Sequence, residues 1–223
     1  MRQRTMLLNA VRGHLAEFGI IAPPGPSKAL ELIAELGEGA HAELPDIARM
    51  ALLGIGTQLD ALGTQIHDLE RQLLAWHRQD EISRRLETIP GVGILTATAL
   101  AASVPDPSVF RSGRQFAAFL GLTPRQNSSG GKEKLGRISK MGDGYLRRLL
   151  VVGATSVIRR ADTNPSATGA RLRSLLATKS KRLTTAAMAN SEAARHRFKG
   201  RPNARIAWAV MAREETYRAP AMV

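Results

Sequence analysis

The stretch Leu122–Leu150, LTPRQNSSGGKEKLGRISKMGDGYLRRLL, holds the side chains of this sequence best suited to meet a phosphate. A polar loop, Asn127-Ser128-Ser129-Gly130-Gly131, is set among Arg125, Lys132, Lys134, Arg137, Lys140, Arg147 and Arg148, opposed only by Glu133 and Asp143. Seven cations against two carboxylates form a phosphate-seeking surface. Paired glycines let a backbone come close to a ligand, so the serine hydroxyls can be presented to a polyanion. Taken alone, a Ser-Ser-Gly-Gly stretch is more often a solvated turn whose serines bond their own backbone. Ser139, in Arg137-Ile138-Ser139-Lys140, suits a phosphate contact or a helix cap equally.

A second phosphate-directed element precedes this run. In LETIPGVGILTATALAASV, residues 86–104, Pro90-Gly91-Val92-Gly93 joins two apolar helical segments, the pattern of a helix-hairpin-helix. Gly91 and Gly93 would form the tight connection and leave backbone N–H groups at a helix N-terminus free for a phosphate, reading backbone and not sequence. The competing reading is an αα-hairpin packed for structural reasons.

Helices must carry both elements. Residues 1–21 place Met6, Leu7, Ala10, Val11, His14, Leu15 and Phe18 at helical spacing, with Gly19 as a stop. Pro23-Pro24-Gly25-Pro26 breaks the chain, Ser27 can cap a short helix from Lys28 to Leu36, and Gly37-Glu38-Gly39 ends that helix. Then Ala48, Leu52, Ile55, Leu59, Leu62, Ile66, Leu69, Leu73 and Trp76 recur at alternating spacings of four and three, a coiled-coil seam. Gly54, Gly56 and Gly63 weaken that helix by up to about 1 kcal/mol each, so a partner must supply burial. A helical hairpin within one chain would serve as well as a second copy. Val109–Leu120 reads as a helix with Phe110, Phe116, Ala117 and Phe119 as core candidates. Tyr145–Arg160 reads as a helix burying Leu146, Leu149, Leu150, Gly153 and Val157, and residues 171–218 read as helical and basic.

Composition bounds the partners. The 223 residues suffice for one large or two small cores, and with no cysteine the chain has neither disulfides nor thiolate zinc sites, which suits a cytoplasmic location. Five histidines show no ligand spacing, and no stretch is long and apolar enough for a membrane span. Of the net charge of +13, residues 1–100 contribute −3 and residues 101–223 contribute +16, so the second half is the polyanion-binding half. Aromatic content of 4% gives little support to a surface of stacked bases.

IPGVGILTATAL followed by RQFAAFLGLTPRQNSSGGKEKLGRISKMGDGYLRRLLV closely resembles the C-terminal transposase domain of the insertion-sequence-110-type family, the serine-dependent DEDD transposases that act with a guide (bridge) RNA. RTMLLNAVRGHLAEFG upstream and ARIAWAVMAREETYRAP near the C-terminus are similar to that family as well. The resemblance implies DNA transposition, with Ser129, which Gly130 follows, as the nucleophile that attacks a DNA phosphate. It also implies an N-terminal RuvC-like domain whose acidic residues bind Mg²⁺. No such domain precedes Met1 in this sequence, so no cofactor is expected in this chain itself, and the acidic domain is expected in trans. A second departure is SEAARHRFKGRP, between Asn190 and Asn203, where the family runs on nearly directly.

The expected protein is mostly α: N-terminal helices and linker (1–44), a coiled-coil arm (45–85), and a helical DNA-binding transposase domain (86–218) containing the helix-hairpin-helix and the serine loop. Its expected partners are DNA, guide RNA and a further copy of itself. Two other readings remain open, a catalytically inactive DNA-binding remnant and an assembly module that recruits a full-length transposase.

Overall fold

The structure, a computed structural model, describes residues 2–127, 135–163, 167–190 and 203–217. Among these are ten helices, a 3-10 turn (Pro107–Val109) and one two-stranded sheet. The helices are α1 (Arg2–Glu17), α2 (Pro26–Gly37), α3 (Asp46–Gln79), α4 (Glu81–Glu87), α5 (Ile94–Ser103), α6 (Gly113–Phe119), α7 (Gly144–Arg159), α8 (Ala167–Thr178), α9 (Lys181–Asn190) and α10 (Asn203–Arg213). The strands β1 (Pro124–Gln126) and β2 (Leu135–Ile138) lie between α6 and α7. The mostly α class read from the sequence holds. Two compact units divide the chain, Met1–Gln72 and Leu73–Val223, and no described helix is long and apolar enough to cross a membrane.

In the first unit, Leu8, Val11 and Leu15 of α1 pack with Ala29, Ile33 and Leu36 of α2 and Leu52 and Leu59 of α3. The sequence puts Met6, Leu7 and Phe18 on the same face as Val11 and Leu15, yet Met6 and Phe18 are exposed and Leu8 is buried instead. Two stripes overlap at Val11 and Leu15, and the partner helix selects between them. Both short helices end as their glycines suggest. Gly19 and Gly39 take positive φ, with Ile20 N–H donating to the Leu15 carbonyl and Ala40 N–H to that of Glu35, the six-to-one bond of a glycine C-cap. Arg49 of α3 donates to the carbonyls of Leu36, Ala40 and His41 at 2.7, 2.9 and 2.7 Å, satisfying the end of α2.

The four-three seam is used in two ways. Ala48, Leu52, Ile55 and Leu59 belong to the first unit's own core, where a Cβ on Gly56 would come within 2.6 Å of the Ile33 side chain. That glycine, which costs helix propensity, is what lets α2 and α3 approach. Farther along, Leu62, Ile66 and Leu73 are half-buried while Leu69 and Trp76 are exposed.

The second unit is built on residues from α4, α5, α6, α7, α9 and α10, with Leu86, Ile89, Leu100, Phe116, Leu120, Leu122, Leu146 and Leu150 almost wholly buried. Most of α8 and all of α9 and α10 lie in the stretch 171–218 that reads as helical and basic, and α10 also belongs to this core: Ile206, Ala207, Val210 and Met211 are buried. The Trp208 indole donates to the Pro107 carbonyl at 3.2 Å, and a Cβ on Gly113 would lie 3.1 Å from the Arg205 Cα, so α6 starts directly against α10. The expected helix Val109–Leu120 begins only at Gly113, because Pro107 sets a 3-10 turn and the Ser112 hydroxyl accepts from Gln115 N–H as an N-cap.

Candidate nucleic-acid interface

β1 and β2 pair antiparallel, Pro124 opposite Ile138 and Gln126 opposite Leu135, with a bulge between. The sequence does not announce this strand pair. Strands of three and four residues carry too few side chains for a period-two signal, and PRQ and LGRI lack the β-branched run that announces a strand. In sequence, residues 127–134 join the two strands. Ser129 itself, with Ser128, Gly130, Gly131, Lys132, Glu133 and Lys134, lies outside the described residues.

The root of the hairpin is a dense backbone junction. Ser139 N–H donates to the Thr123 carbonyl at 2.8 Å, Lys140 N–H to that of Gly121 at 3.0 Å, and Asp143 N–H to that of Phe119 at 3.3 Å. Gly121 and Gly142 take positive φ, and a Cβ on Gly142 would overlap the Phe119 carbonyl. Asp143 then caps α7, its carboxylate accepting from Tyr145 and Leu146 N–H at 2.8 and 2.9 Å. The run Met141-Gly142-Asp143-Gly144 is thus a tight crossing followed by a helix start.

The cations singled out in the sequence fall into two groups. Arg125, Arg137, Lys140 and Arg148 are exposed on the hairpin, its root and the first turns of α7, and the Arg125 guanidinium reaches the Ser139 carbonyl at 3.3 Å. Arg147 is half-buried and its guanidinium donates to the Leu120 carbonyl at 3.0 Å, pinning α7 to the end of α6. The Ser139 hydroxyl faces Met141 N–H at 3.4 Å, a long bond, and caps no helix.

Of the two hairpin glycines, Gly91 is a packing residue. It has φ +86°, and a Cβ there would sit 2.8 Å from the Gly153 carbonyl of α7 and 3.0 Å from a Val157 methyl. A Cβ on Gly153 would in turn overlap the Gly91 carbonyl, so turn and helix meet backbone to backbone. Gly153→Ala should therefore lower the unfolding free energy by about 2 kcal/mol or more, as overpacking does. Urea denaturation checks this, and an unchanged midpoint would mean that turn and helix are apart. Gly93 is exposed and stands at the N-cap of α5 with open space around its Cα, so this helix start is open to solvent, as a phosphate contact requires.

The second unit also holds a polar cluster that the sequence does not announce. His77, 4% exposed, faces the Ser83 hydroxyl with Nδ1 at 2.7 Å and the Glu87 carboxylate with Nε2 at 2.9 Å, while Ser83 N–H donates to Asp80. Serine, histidine and glutamate in this order resemble a hydrolytic triad, but Ser83 is fully buried and its hydroxyl reaches no solvent. The cluster ties the last turn of α3 to α4. Among the described residues no group of three or more His, Asp and Glu is placed to hold a metal ion.

The chain is 41% identical over 219 residues to a putative transposase of Sinorhizobium fredii, an alignment covering 98% of this chain and 53% of that protein. It is also 41% identical to a probable family 20 transposase of Pseudomonas aeruginosa, covering 98% of this chain and 62% of that one. With the transposase for insertion sequence element IS1111A of Coxiella burnetii it shares 35% identity, across 98% of this chain and 57% of the relative. The chain thus spans little more than half the length of these curated relatives. Residues 83–170, from α4 through the hairpin and α7 into α8, match the family described as Transposase IS116/IS110/IS902. The second unit of this chain therefore carries the C-terminal-region domain of the IS110/IS116 transposase family.

Proposed function

We propose that this chain takes part in DNA transposition by gripping nucleic-acid phosphates with the second unit and supplying Ser129 as the nucleophile. The observation that carries the reading is the hairpin. It is tied at its root by backbone hydrogen bonds between the end of α6 and the start of α7, bears the exposed Arg125 and Arg137, and flanks in sequence the segment containing Ser129. In the proposed step Ser129 Oγ attacks the phosphorus of a DNA phosphodiester, its proton passes to a base, and the strand leaves with a free hydroxyl. A hydroxyl of the recipient strand then attacks the serine ester, restoring a phosphodiester and freeing the serine. Charge developing on the phosphoryl oxygens is stabilised by the surrounding cations. Residues 105–160 contain no histidine to act as the base, so an acidic Mg²⁺-binding domain acting in trans is the proposed source of activation. Duplex DNA and guide RNA are the proposed partners, held through their backbones. The test is to replace Arg125, Arg137, Lys140 and Arg148 together by alanine. Anisotropy titrations should then show a loss of affinity for duplex DNA of at least about a hundredfold at low salt, with the fold retained. Affinity within a few-fold of the parent would place the interface elsewhere.

Self-association through α3 belongs to the same proposal, and the structure says which residues can test it. Leu59→Asp would damage the first unit's own core, since Leu59 is 2% exposed. Ile66→Asp with Leu73→Asp alters only half-buried seam positions. This pair should give smaller particles in sedimentation with helicity unchanged, whereas an unchanged mass would mean that the seam packs within one chain.

A further inference from the structure

The chain has only five phenylalanines, two tyrosines and two tryptophans, yet three phenylalanines and a tyrosine gather at the root of the hairpin. Phe116 is fully buried, and Phe119 stacks beside it with ring centroids 6.2 Å apart and 23° between planes. Phe110 completes the set at 5.2 Å from each of them. Despite this support Phe119 is 42% exposed. Its carbonyl accepts from Asp143 N–H, which joins it to a segment where Met141 is 69% and Tyr145 56% exposed. Large apolar side chains left open in one place, one of them held by two ring contacts, mark a surface with an occupant.

The surrounding charge says which occupant. Arg111, Arg114, Arg125, Arg137, Lys140 and Arg148 are all exposed, and the carboxylate in the middle of them, Asp143, is committed to capping α7. A ligand that is flat and apolar on one side and anionic along its length suits both features, and that describes a nucleotide whose base is unpaired. We propose that Phe119, with Met141 and Tyr145, seats an unpaired base of single-stranded DNA or RNA while the flanking cations hold its phosphates. The proposal rests on the reading of this unit as a phosphate-binding domain and gives it a preference for opened strands. Low overall aromatic content argues against a stacking surface, but one seat needs only one supported ring.

The experiment compares a single-stranded DNA, an RNA of the same sequence and the corresponding blunt DNA duplex, each carrying 2-aminopurine, at one fixed salt concentration. Phe119→Leu keeps an apolar side chain against Phe110 and Phe116 but removes the ring face, and Tyr145→Leu alters an exposed position of α7. Both should weaken single-strand binding by roughly tenfold, within the range that stacking one base supplies, and leave duplex binding within about twofold. The fluorescence change that accompanies stacking should be lost with them. Loss in only one of the single-stranded arms supports the seat and identifies DNA or RNA as its source. Equal losses on single strands and duplex, or no loss while the parent binds duplex, would overturn the seat and leave the phosphate-binding reading standing. A parent chain with no salt-dependent binding would remove both. If the parent self-associates and Phe119→Leu dissociates it in sedimentation, the patch takes a second copy, and the proposal is wrong.

Discussion

Raising salt from about 50 to about 200 mM should weaken duplex DNA binding by this chain roughly a thousandfold. Residues 101–223 carry a net charge of +16, and on the described part of that half Arg125, Arg137, Lys140 and Arg148 are exposed around the hairpin. If about six phosphates are neutralised, the slope of log K against log salt is near −5, because each contact releases condensed counterions. The structure refines this expectation residue by residue. Arg148→Ala should reduce the slope by about 1 and weaken all sequences alike. Arg147→Ala should act mainly on the fold, since its guanidinium donates to the Leu120 carbonyl and pins α7 to the end of α6. Its signature is a lower denaturation midpoint, with the hairpin root more open to hydrogen exchange. A flat response to salt would contradict the phosphate-grip reading. A slope lowered equally by both substitutions would mean that Arg147 faces phosphate.

Much of the helical skeleton was legible in the sequence because its signals are local. Glycine stops at Gly19 and Gly39, the seam of α3 and the apolar face of α7 each need only a few neighbouring residues to be read. What was not legible depends on partners distant in sequence. The glycine at position 56 looks like a defect in a coiled coil until Ile33 is found against it, and Gly91 looks like a phosphate-binding turn until Gly153 is found beneath it. The β1–β2 pair is too short for periodicity, and its register is set by the junction of Phe119–Thr123 with Ser139–Asp143. The spacing of Phe119 puts it in the core. It is supported by Phe110 and Phe116 on one side and open on the other, a distinction that spacing alone does not make. The cationic character of the Arg125–Arg148 run was plain in composition, whereas the division of Arg147 from Arg148 required coordinates.

Ser129→Ala should abolish a covalent protein–DNA adduct while leaving DNA binding intact. Loss of the attacking oxygen removes the bond itself, so the effect is on the order of a thousandfold or more, larger than removal of one stabilising donor. The competing serines can be separated from it. Ser139 N–H is bonded to the Thr123 carbonyl and its own carbonyl faces Arg125, which places Ser139 in the hairpin root, so Ser139→Ala should alter binding more than chemistry. Ser128→Ala should leave the adduct in place. The most direct measurement supplies the acidic domain in trans with Mg²⁺, guide RNA and labelled donor DNA, denatures the mixture, and maps the attachment site by mass spectrometry of the labelled peptide. The account predicts an adduct on Ser129 that disappears in Ser129→Ala and persists in Ser128→Ala and Ser139→Ala. An adduct on another residue, or one that survives Ser129→Ala, would contradict it. Salt-sensitive binding with no adduct under any of these conditions would leave this chain a DNA-binding module without the nucleophile's role.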